Sequence, residues 1–123
     1  MRLALAACLV LLPGIISAQE ANPYLVKRVL PGCRMMLDLP QRNFTMKDAA
    51  DLGFCQGAVS TLLAFGPHLE RGARFCPPPG TTPGQTINII VHALDKAPEE
   101  RDRDFLPIAL DILKAAWPCT GQP

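Results

Sequence analysis

The cysteines are the feature that most constrains how this chain can fold. The 123-residue chain has five of them, and four are spread widely after an apolar amino-terminal stretch: Cys33, Cys55, Cys76 and Cys119. An even number of cysteines in a short exported chain is typical of a disulfide framework. We therefore expect a small domain held together by two disulfides.

Residues 1–18 are predicted to be a signal peptide that is cleaved after Ala18. Arg2 supplies the positive charge, Leu3–Leu12 is apolar, and the segment ends in small residues. An apolar run of about 10 residues is too short for a membrane span, which needs about 20. Cleavage removes Cys8, leaves no stable membrane anchor, and places the mature protein in the periplasm or outside the cell.

The charge of the remaining chain limits its partners. The sequence has 12 basic and 11 acidic residues, so loss of Arg2 leaves 11 of each sign. A chain without a basic surplus is not expected to bind nucleic acid generally. The cysteines lie too far apart for Cys-x-x-Cys metal sites, and no His-Glu-x-x-His or calcium loop is present. We expect no metal and no cofactor.

Hydrophobic periodicity predicts an all-α fold, a small disulfide-linked bundle of about four helices. The first helix is expected to be capped by Asn22, interrupted at Pro31-Gly32, continued over Cys33–Leu39 and stopped by Pro40. The second is expected to run from an N-cap at Thr45 to about Phe65. Its buried face is predicted from apolar residues at spacings of three and four, namely Leu52, Cys55, Val59, Leu62 and Phe65.

The last two helices show clear start signals. Thr82 and Gln85 match a capping box with proline at the first helical position, and the third helix should end before Pro98. Asp104 is the expected N-cap of the fourth. Its predicted apolar face consists of Leu106, Ala109, Leu110, Leu113 and Trp117.

The helix layout favours one disulfide connectivity. Cys33 ends one helix and Cys55 lies on the next, while Cys76 precedes the third helix and Cys119 ends the fourth. In two antiparallel hairpins these positions meet, which favours Cys33–Cys55 and Cys76–Cys119, although four cysteines allow three connectivities. In the loop-entropy model these bonds contribute about 3.4 and about 4 kcal/mol.

Catalysis is poorly supported by the sequence. A histidine base needs a nucleophile or substrate within reach, and the chain shows no Gly-x-Ser-x-Gly turn and no spare cysteine. His92 has Asp95 three residues later, a spacing that could orient an imidazole, but a surface or interface histidine is the better interpretation. We therefore expect a protein that is not an enzyme.

Two charged loops are the candidate partner-binding segments. The first loop, residues 67–79, contains His68, Glu70 and Arg71; the second loop, residues 96–104, contains Glu99, Glu100, Arg101, Asp102 and Arg103. Mixed charge is also common in solvated linkers. A rigid cross-linked scaffold, however, can present such a loop to a partner.

The order of several short motifs resembles that of a known family. The motifs are Leu30-Pro31-Gly32-Cys33-Arg34, Cys55-Gln56-Gly57-Ala58-Val59, Phe75-Cys76-Pro77-Pro78, Thr82-Pro83-Gly84-Gln85 and Ala115-Ala116-Trp117-Pro118-Cys119. In order and spacing they are similar to the Rap/Tai immunity family, over nearly the whole of residues 22–119. The matching residues are scaffold positions, so no partner-binding residue is transferred.

The resemblance implies an all-helical periplasmic protein that is often a homodimer. Characterised members of the family bind amidase effectors that are delivered by type VI secretion and cut peptidoglycan peptides. The immunity protein fills the effector's active-site groove and performs no chemistry. The alternative is a periplasmic stress or acid-chaperone-like protein with no effector partner, which would unfold and expose apolar surface at low pH.

Cleavage after Ala18 can be checked directly. The mature protein recovered from the exported fraction should have the mass of residues 19–123, lowered further by four hydrogens when both disulfides are formed. Intact mass spectrometry before and after reduction measures both quantities. A product that retains residues 1–18 would contradict the signal-peptide prediction.

Overall fold

In a computed structural model, residues 21–38 and 43–120 are described, and they contain four α-helices. The helices are α1 (Val26–Leu37), α2 (Met46–Phe65), α3 (Pro83–Asp95) and α4 (Phe105–Ala116), with short 3₁₀ helices at Gly66–His68 and Pro98–Asp102. The prediction of a small all-α fold of about four helices is confirmed. The predicted signal peptide, Cys8 and Pro40 lie outside the described residues.

The first helix begins later than the sequence suggested. Leu25, not Asn22, is its N-cap residue. The Asn22 amide oxygen accepts a hydrogen bond from the Tyr24 backbone N–H at 2.9 Å, and its Nδ2 donates to Asp104 Oδ1 at 2.9 Å. The predicted cap was wrong because the segment before α1 pairs with the segment before α4. In that pairing Phe105 N–H donates to the Tyr24 carbonyl at 2.8 Å.

Pro31 and Gly32 do not interrupt α1, which is continuous through both. Pro31 is exposed, so its ring points away from the core, although the helix loses the hydrogen bond that a Pro31 N–H would make. Gly32 is buried against α2, where a Cβ atom would lie 2.2 Å from the Asp51 carbonyl oxygen. The glycine is therefore required by a close approach of two helices and not by a break in one.

The predicted N-cap of α2 at Thr45 and the predicted capping box of α3 are confirmed, and the structure adds a capping box at Thr45. Thr45 Oγ1 accepts from Asp48 N–H at 3.1 Å, and Asp48 Oδ2 accepts from Thr45 N–H at 3.0 Å. Thr82 and Gln85 form the same reciprocal pair at 3.3 and 2.9 Å. Each box satisfies backbone donors that the first turn of a helix leaves free, and so fixes where the helix begins.

The core lies between α1, α2, α3 and α4 and is built from aliphatic and aromatic side chains. Its fully buried members include Val26, Cys33, Cys55, Val59, Phe75, Ile87, Ile90, Phe105, Ala109 and Leu113. On α3, the apolar residues at helical spacing are buried throughout, namely Ile87, Ile90, Val91 and Leu94. The sequence thus identified most of the core on the two central helices.

Two apolar residues were predicted on the wrong face. Phe65 is 64% exposed, because it lies six positions after buried Val59 and is therefore about 240° further round α2. Leu106 is 44% exposed, and α4 buries Phe105 and Ile108 in its place. The hydrogen bond between Phe105 N–H and Tyr24 rotates the start of α4 so that Phe105 faces inwards.

Both disulfides have the connectivity that the sequence favoured. Cys33–Cys55 joins α1 to α2 with 5.3 Å between the Cα atoms, and both residues are fully buried. Cys76–Cys119 joins the segment before α3 to the end of α4, with 5.0 Å between the Cα atoms. None of the described helices has the length and hydropathy that a membrane span requires.

Gly32→Ala should destabilise the fold because the new methyl group would overlap the α2 backbone, which cannot move aside as a flexible side chain would. We expect a loss of about 2 kcal/mol or more in the free energy of unfolding, measured by chemical denaturation. Gly72→Ala is the matched control, since a Cβ there meets no atom within 4 Å. Equal stability of the two variants would contradict the close approach.

Candidate functional site

The first loop begins where α2 ends. His68 closes the 3₁₀ helix Gly66–His68, and Glu70 and Arg71 occupy the following turn; all three side chains are exposed. The turn is closed by backbone hydrogen bonds to the Glu70 carbonyl from Ala73 and Arg74, both 2.9 Å. The loop therefore presents its charged residues outwards from a fixed turn.

Phe75 anchors the loop to the scaffold. Its side chain is fully buried and lies against Gly66, where a Cβ atom would come within 2.1 Å of the ring. Next along the chain, Cys76 is bonded to Cys119, and its N–H donates to the Trp117 carbonyl at 2.8 Å. Both ends of the exposed turn are thus held by buried packing or by a covalent bond.

The second loop uses much of its charge internally. Asp102 pairs with Lys27 of α1, and Arg103 Nη1 donates to Glu100 Oε2 at 2.7 Å. Glu99 and Arg101 are exposed and form no hydrogen bond or ion pair with the other described residues. Three of the five predicted charges are therefore paired, and one of these pairs, Asp102 with Lys27, fastens the 3₁₀ helix Pro98–Asp102 to α1.

The structure does not bring the two loops together as one site. Within residues 21–38 and 43–120, no hydrogen bond or ion pair links His68, Glu70 or Arg71 to the second loop. The first loop follows α2 and leads to the start of α3, whereas the second loop joins the end of α3 to α4. They are separate surfaces, and a partner could use either one without the other.

A groove of about 640 Å³ lies beside the continuation of the first loop. It is lined by the turn at Pro78–Thr81, by one face of α3 and by Trp117. The Thr81 hydroxyl donates to the Pro78 carbonyl at 2.7 Å, and the Phe75 and Trp117 rings lie 6.1 Å apart. The turn and the tryptophan that shape this groove are therefore both fixed.

The polar groups of the groove come from α3. Asn88 and His92 are exposed and one helical turn apart, while Gln85 is occupied by the capping box. Sequence reasoning did not select Asn88 or Trp117 as site residues. The available signal was the spacing of Gln85, Asn88 and His92, which places three polar side chains on one face of α3 opposite its buried stripe.

His92 is exposed, and the contact with Asp95 that their spacing would allow does not form. Asp95 Oδ1 instead accepts hydrogen bonds from the Arg34 guanidinium, with Nε at 3.1 Å. Among the described residues no group of three or more His, Cys, Asp or Glu side chains is arranged to hold a metal ion. The groove and the first loop present hydrogen-bonding groups, charged side chains and an aromatic ring, all of which can bind a partner.

A rigid, cross-linked helical scaffold with an anchored charged loop beside a groove defines a small binding protein. The model of the family described as Rap1a immunity proteins matches residues 25–119, so this chain belongs to the Rap1a immunity protein family. The resemblance stated from the motifs is thereby confirmed. Family membership indicates an immunity protein that binds a cognate secreted effector. Neither curated proteins nor solved structures provide a match.

Loss of the second disulfide should loosen the groove. In Cys76→Ser/Cys119→Ser, the cross-link two residues after Trp117 is lost, so the indole ring should become more exposed to water. Its fluorescence emission should therefore move to longer wavelength and be quenched more readily by iodide. Stability should fall by about 4 kcal/mol, and spectra are therefore compared under conditions where circular dichroism shows the variant folded.

Cys33→Ala/Cys55→Ala is the control for this experiment, because that bond joins α1 to α2 and does not line the groove. While folded, the control should keep the emission of the original protein. Identical Trp117 spectra in all three proteins would show that the second disulfide does not hold the groove in shape.

Proposed function

We propose that this chain is a periplasmic immunity protein that binds and occludes a peptidoglycan amidase effector of type VI secretion. The observation that carries the proposal is the family match over residues 25–119. The two disulfides are consistent with an oxidising compartment outside the cytoplasm, and the predicted signal peptide supports export. The protein acts by binding and performs no chemistry of its own.

The first loop is the effector contact that we propose. His68, Glu70 and Arg71 are exposed, and their side chains form no hydrogen bond or ion pair with the rest of the described chain. Their charge is therefore available to a partner without breaking an internal pair. The loop is held at Phe75 and Cys76, so little conformational entropy would be lost when it is bound.

The groove extends this contact along the same stretch of chain. The turn Pro78–Thr81 that lines the groove follows Cys76 closely in the chain. We propose that a partner bound to the charged turn also contacts Asn88, His92 and Trp117. Trp117 is half-buried and offers an aromatic surface of the kind that dominates binding energy in interfaces. A loop of this kind suits occlusion, since it enters a concave active site and excludes substrate.

The second loop is proposed as a weaker contact. Glu99 and Arg101 are its unpaired charges, whereas Glu100, Asp102 and Arg103 would have to give up internal partners. Rim charges of this kind affect the association rate more than the final affinity. A second copy of the chain is the other partner that we propose.

The proposal predicts a cell-wall amidase among the products of the neighbouring genes, and that amidase is the protein used in the test. The mature protein should co-purify with that amidase and abolish its release of peptide from purified peptidoglycan at equimolar concentration. Absence of both binding and inhibition, with an amidase shown to be active, would overturn the proposal.

Charge reversal in the first loop should weaken the complex. Glu70→Lys/Arg71→Glu conserves net charge but inverts its pattern, so we expect at least a tenfold rise in the dissociation constant, measured by calorimetry. Asp111→Lys/Lys114→Glu on α4 is the matched control, because it also inverts a neighbouring pair and conserves net charge. If the α4 variant weakens binding and the loop variant does not, the contact lies elsewhere.

A further inference from the structure

An uncharged cavity of about 460 Å³ lies on the side of α2 that faces away from the core, and we call it the apolar cavity. Residues 52–65 of this helix carry no charge, and the helix buries only one side of itself, around Cys55 and Val59. The opposite side is left to solvent. The cavity there is lined by Tyr24, Gly53, Phe54, Gly57, Ala58, Thr61, Leu62 and Leu106.

The lining of the apolar cavity offers few hydrogen bonds to a ligand. It contains two hydroxyl groups and no amide, imidazole or charged side chain. One of the hydroxyls, that of Thr61, already donates to the Gly57 carbonyl at 2.8 Å. A ligand rich in polar groups would lose its hydrogen bonds to water here without replacing them. The cavity therefore suits a hydrocarbon chain.

Two glycines leave the floor of the apolar cavity open. A Cβ atom added at Gly53 or Gly57 would meet no atom within 4 Å, in contrast to Gly32, where it would strike the α2 backbone. Glycine is among the least favourable residues within a helix, and no contact within the described chain explains these two. Space for a ligand above the helix backbone accounts for both positions.

A second cavity, of about 450 Å³, meets the first at Phe54, which lines both, and we call it the basic cavity. Lys47 and Asp51, which also line it, form an ion pair with each other. Arg28 is exposed in the same lining and forms no hydrogen bond or ion pair with the other described residues. The apolar cavity thus ends beside a positive charge that has no internal partner.

We propose that the two cavities form one binding site for a free fatty acid, whose acyl chain lies over Gly53 and Gly57 and whose carboxylate binds the Arg28 guanidinium. A fatty acid combines the two properties that the cavities require, an uncharged chain and one negative charge at its end. The guanidinium presents parallel N–H donors that match the two oxygens of a carboxylate.

The length of the apolar cavity matches one acyl chain. Its lining runs along α2 from Gly53 to Leu62, which is about 14 Å at about 1.5 Å of rise per residue. An acyl chain of a membrane lipid spans about half of a hydrocarbon core that is ~30 Å thick, or about 15 Å. The Tyr24 and Phe54 rings, whose centroids lie 5.9 Å apart, stand at the end of the cavity nearer to Arg28.

This inference does not depend on the proposed effector. Neither cavity shares a residue with the first loop or with the groove beside it. Fatty-acid binding is therefore measured on the mature, disulfide-bonded protein alone, without an amidase. Its failure would leave the proposed function untouched, and loss of amidase binding would leave this site untouched.

The first test is the binding of laurate below its critical micelle concentration, measured by isothermal titration calorimetry. We expect saturable binding of one molecule per chain. Octanoate carries the same carboxylate on a shorter chain and should bind at least tenfold more weakly, because less hydrocarbon is buried. Dodecylamine has a chain as long as that of laurate but a positive head, so it should also bind more weakly than laurate.

The second test changes the charge beside the apolar cavity. Arg28→Glu should reverse the preference, so that dodecylamine binds more tightly than laurate. Arg28 lies in the first turn of α1, where a negative charge is favourable, so the variant should stay folded. Lys96→Glu is the matched control, because Lys96 is also an exposed cation at a helix end but lines neither cavity. A reversed preference is a result that lost stability alone would not give.

The third test fills the apolar cavity from its floor. Gly57→Leu should weaken laurate binding at least tenfold, yet preserve or raise the thermal stability, since its Cβ meets no atom and leucine favours helix. Gly84→Leu is the matched control on α3. Its nearest neighbour would be Thr82 Oγ1 at 4.0 Å, and it should leave laurate binding unchanged.

Four outcomes would overturn the inference. One is the absence of saturable laurate binding to the wild-type protein. Another is laurate binding that is insensitive to both Arg28→Glu and Gly57→Leu. The third is binding to phospholipid vesicles without binding of monomeric laurate, which would assign this surface to a membrane. The fourth is a laurate affinity that falls as the protein concentration rises, which would assign the surface to a second copy of the chain.

Discussion

The contact between α1 and α2 at Gly32 is the constraint on which the rest of the structure depends. The missing side chain of Gly32 lets the α2 backbone at Asp51 approach closely, and the adjacent Cys33 is bonded to Cys55 at the same level. The absence of a side chain at Gly32 thus allows the two helices to approach closely, and the disulfide then holds them together. With the pair held, α3 packs on both helices, and α4 packs on α3 and completes the core.

The second disulfide, Cys76–Cys119, stabilises the groove and the first loop instead of the contact between α1 and α2. It joins Cys76, within the first loop, to Cys119 just beyond α4, and it holds Trp117 beside the turn that shapes the groove. Because Phe75 is packed against Gly66, the charged turn between them is held at both ends. The scaffold thereby carries a loop whose side chains are exposed but whose backbone is fixed, which suits an immunity protein that acts by binding.

Much of the fold could be predicted because its signals are local. The capping boxes at Thr45 and Thr82 are read from residues three apart, and the buried stripe of α3 follows from helical periodicity alone. The errors arose where distant segments interact. Asn22 was expected to cap α1, but its side chain bonds to Tyr24 and to Asp104, and the pairing of these two segments also turns Phe105 into the core in place of Leu106.

The candidate site was less predictable than the fold for the same reason. From the sequence, the charged side chains of the second loop seemed as available to a partner as those of the first. In the folded chain, however, Asp102 forms an ion pair with Lys27, which is distant in sequence. Trp117 was assigned to a helix face, and its place beside the groove became visible only once the second disulfide and the turn at Pro78 were located.

The sequence by itself determined the starts of α2, α3 and α4, the two-disulfide framework and the family, because these depend on neighbouring residues and on motifs in a fixed order. Only the tertiary structure decided which apolar residues remain outside, among them Phe54 and Phe65 on α2. The reason is geometric: when a helix is apolar on all sides, its sequence pattern does not indicate which side packs against the core. That choice is made by the neighbours that α2 packs against, and here they cover only one side.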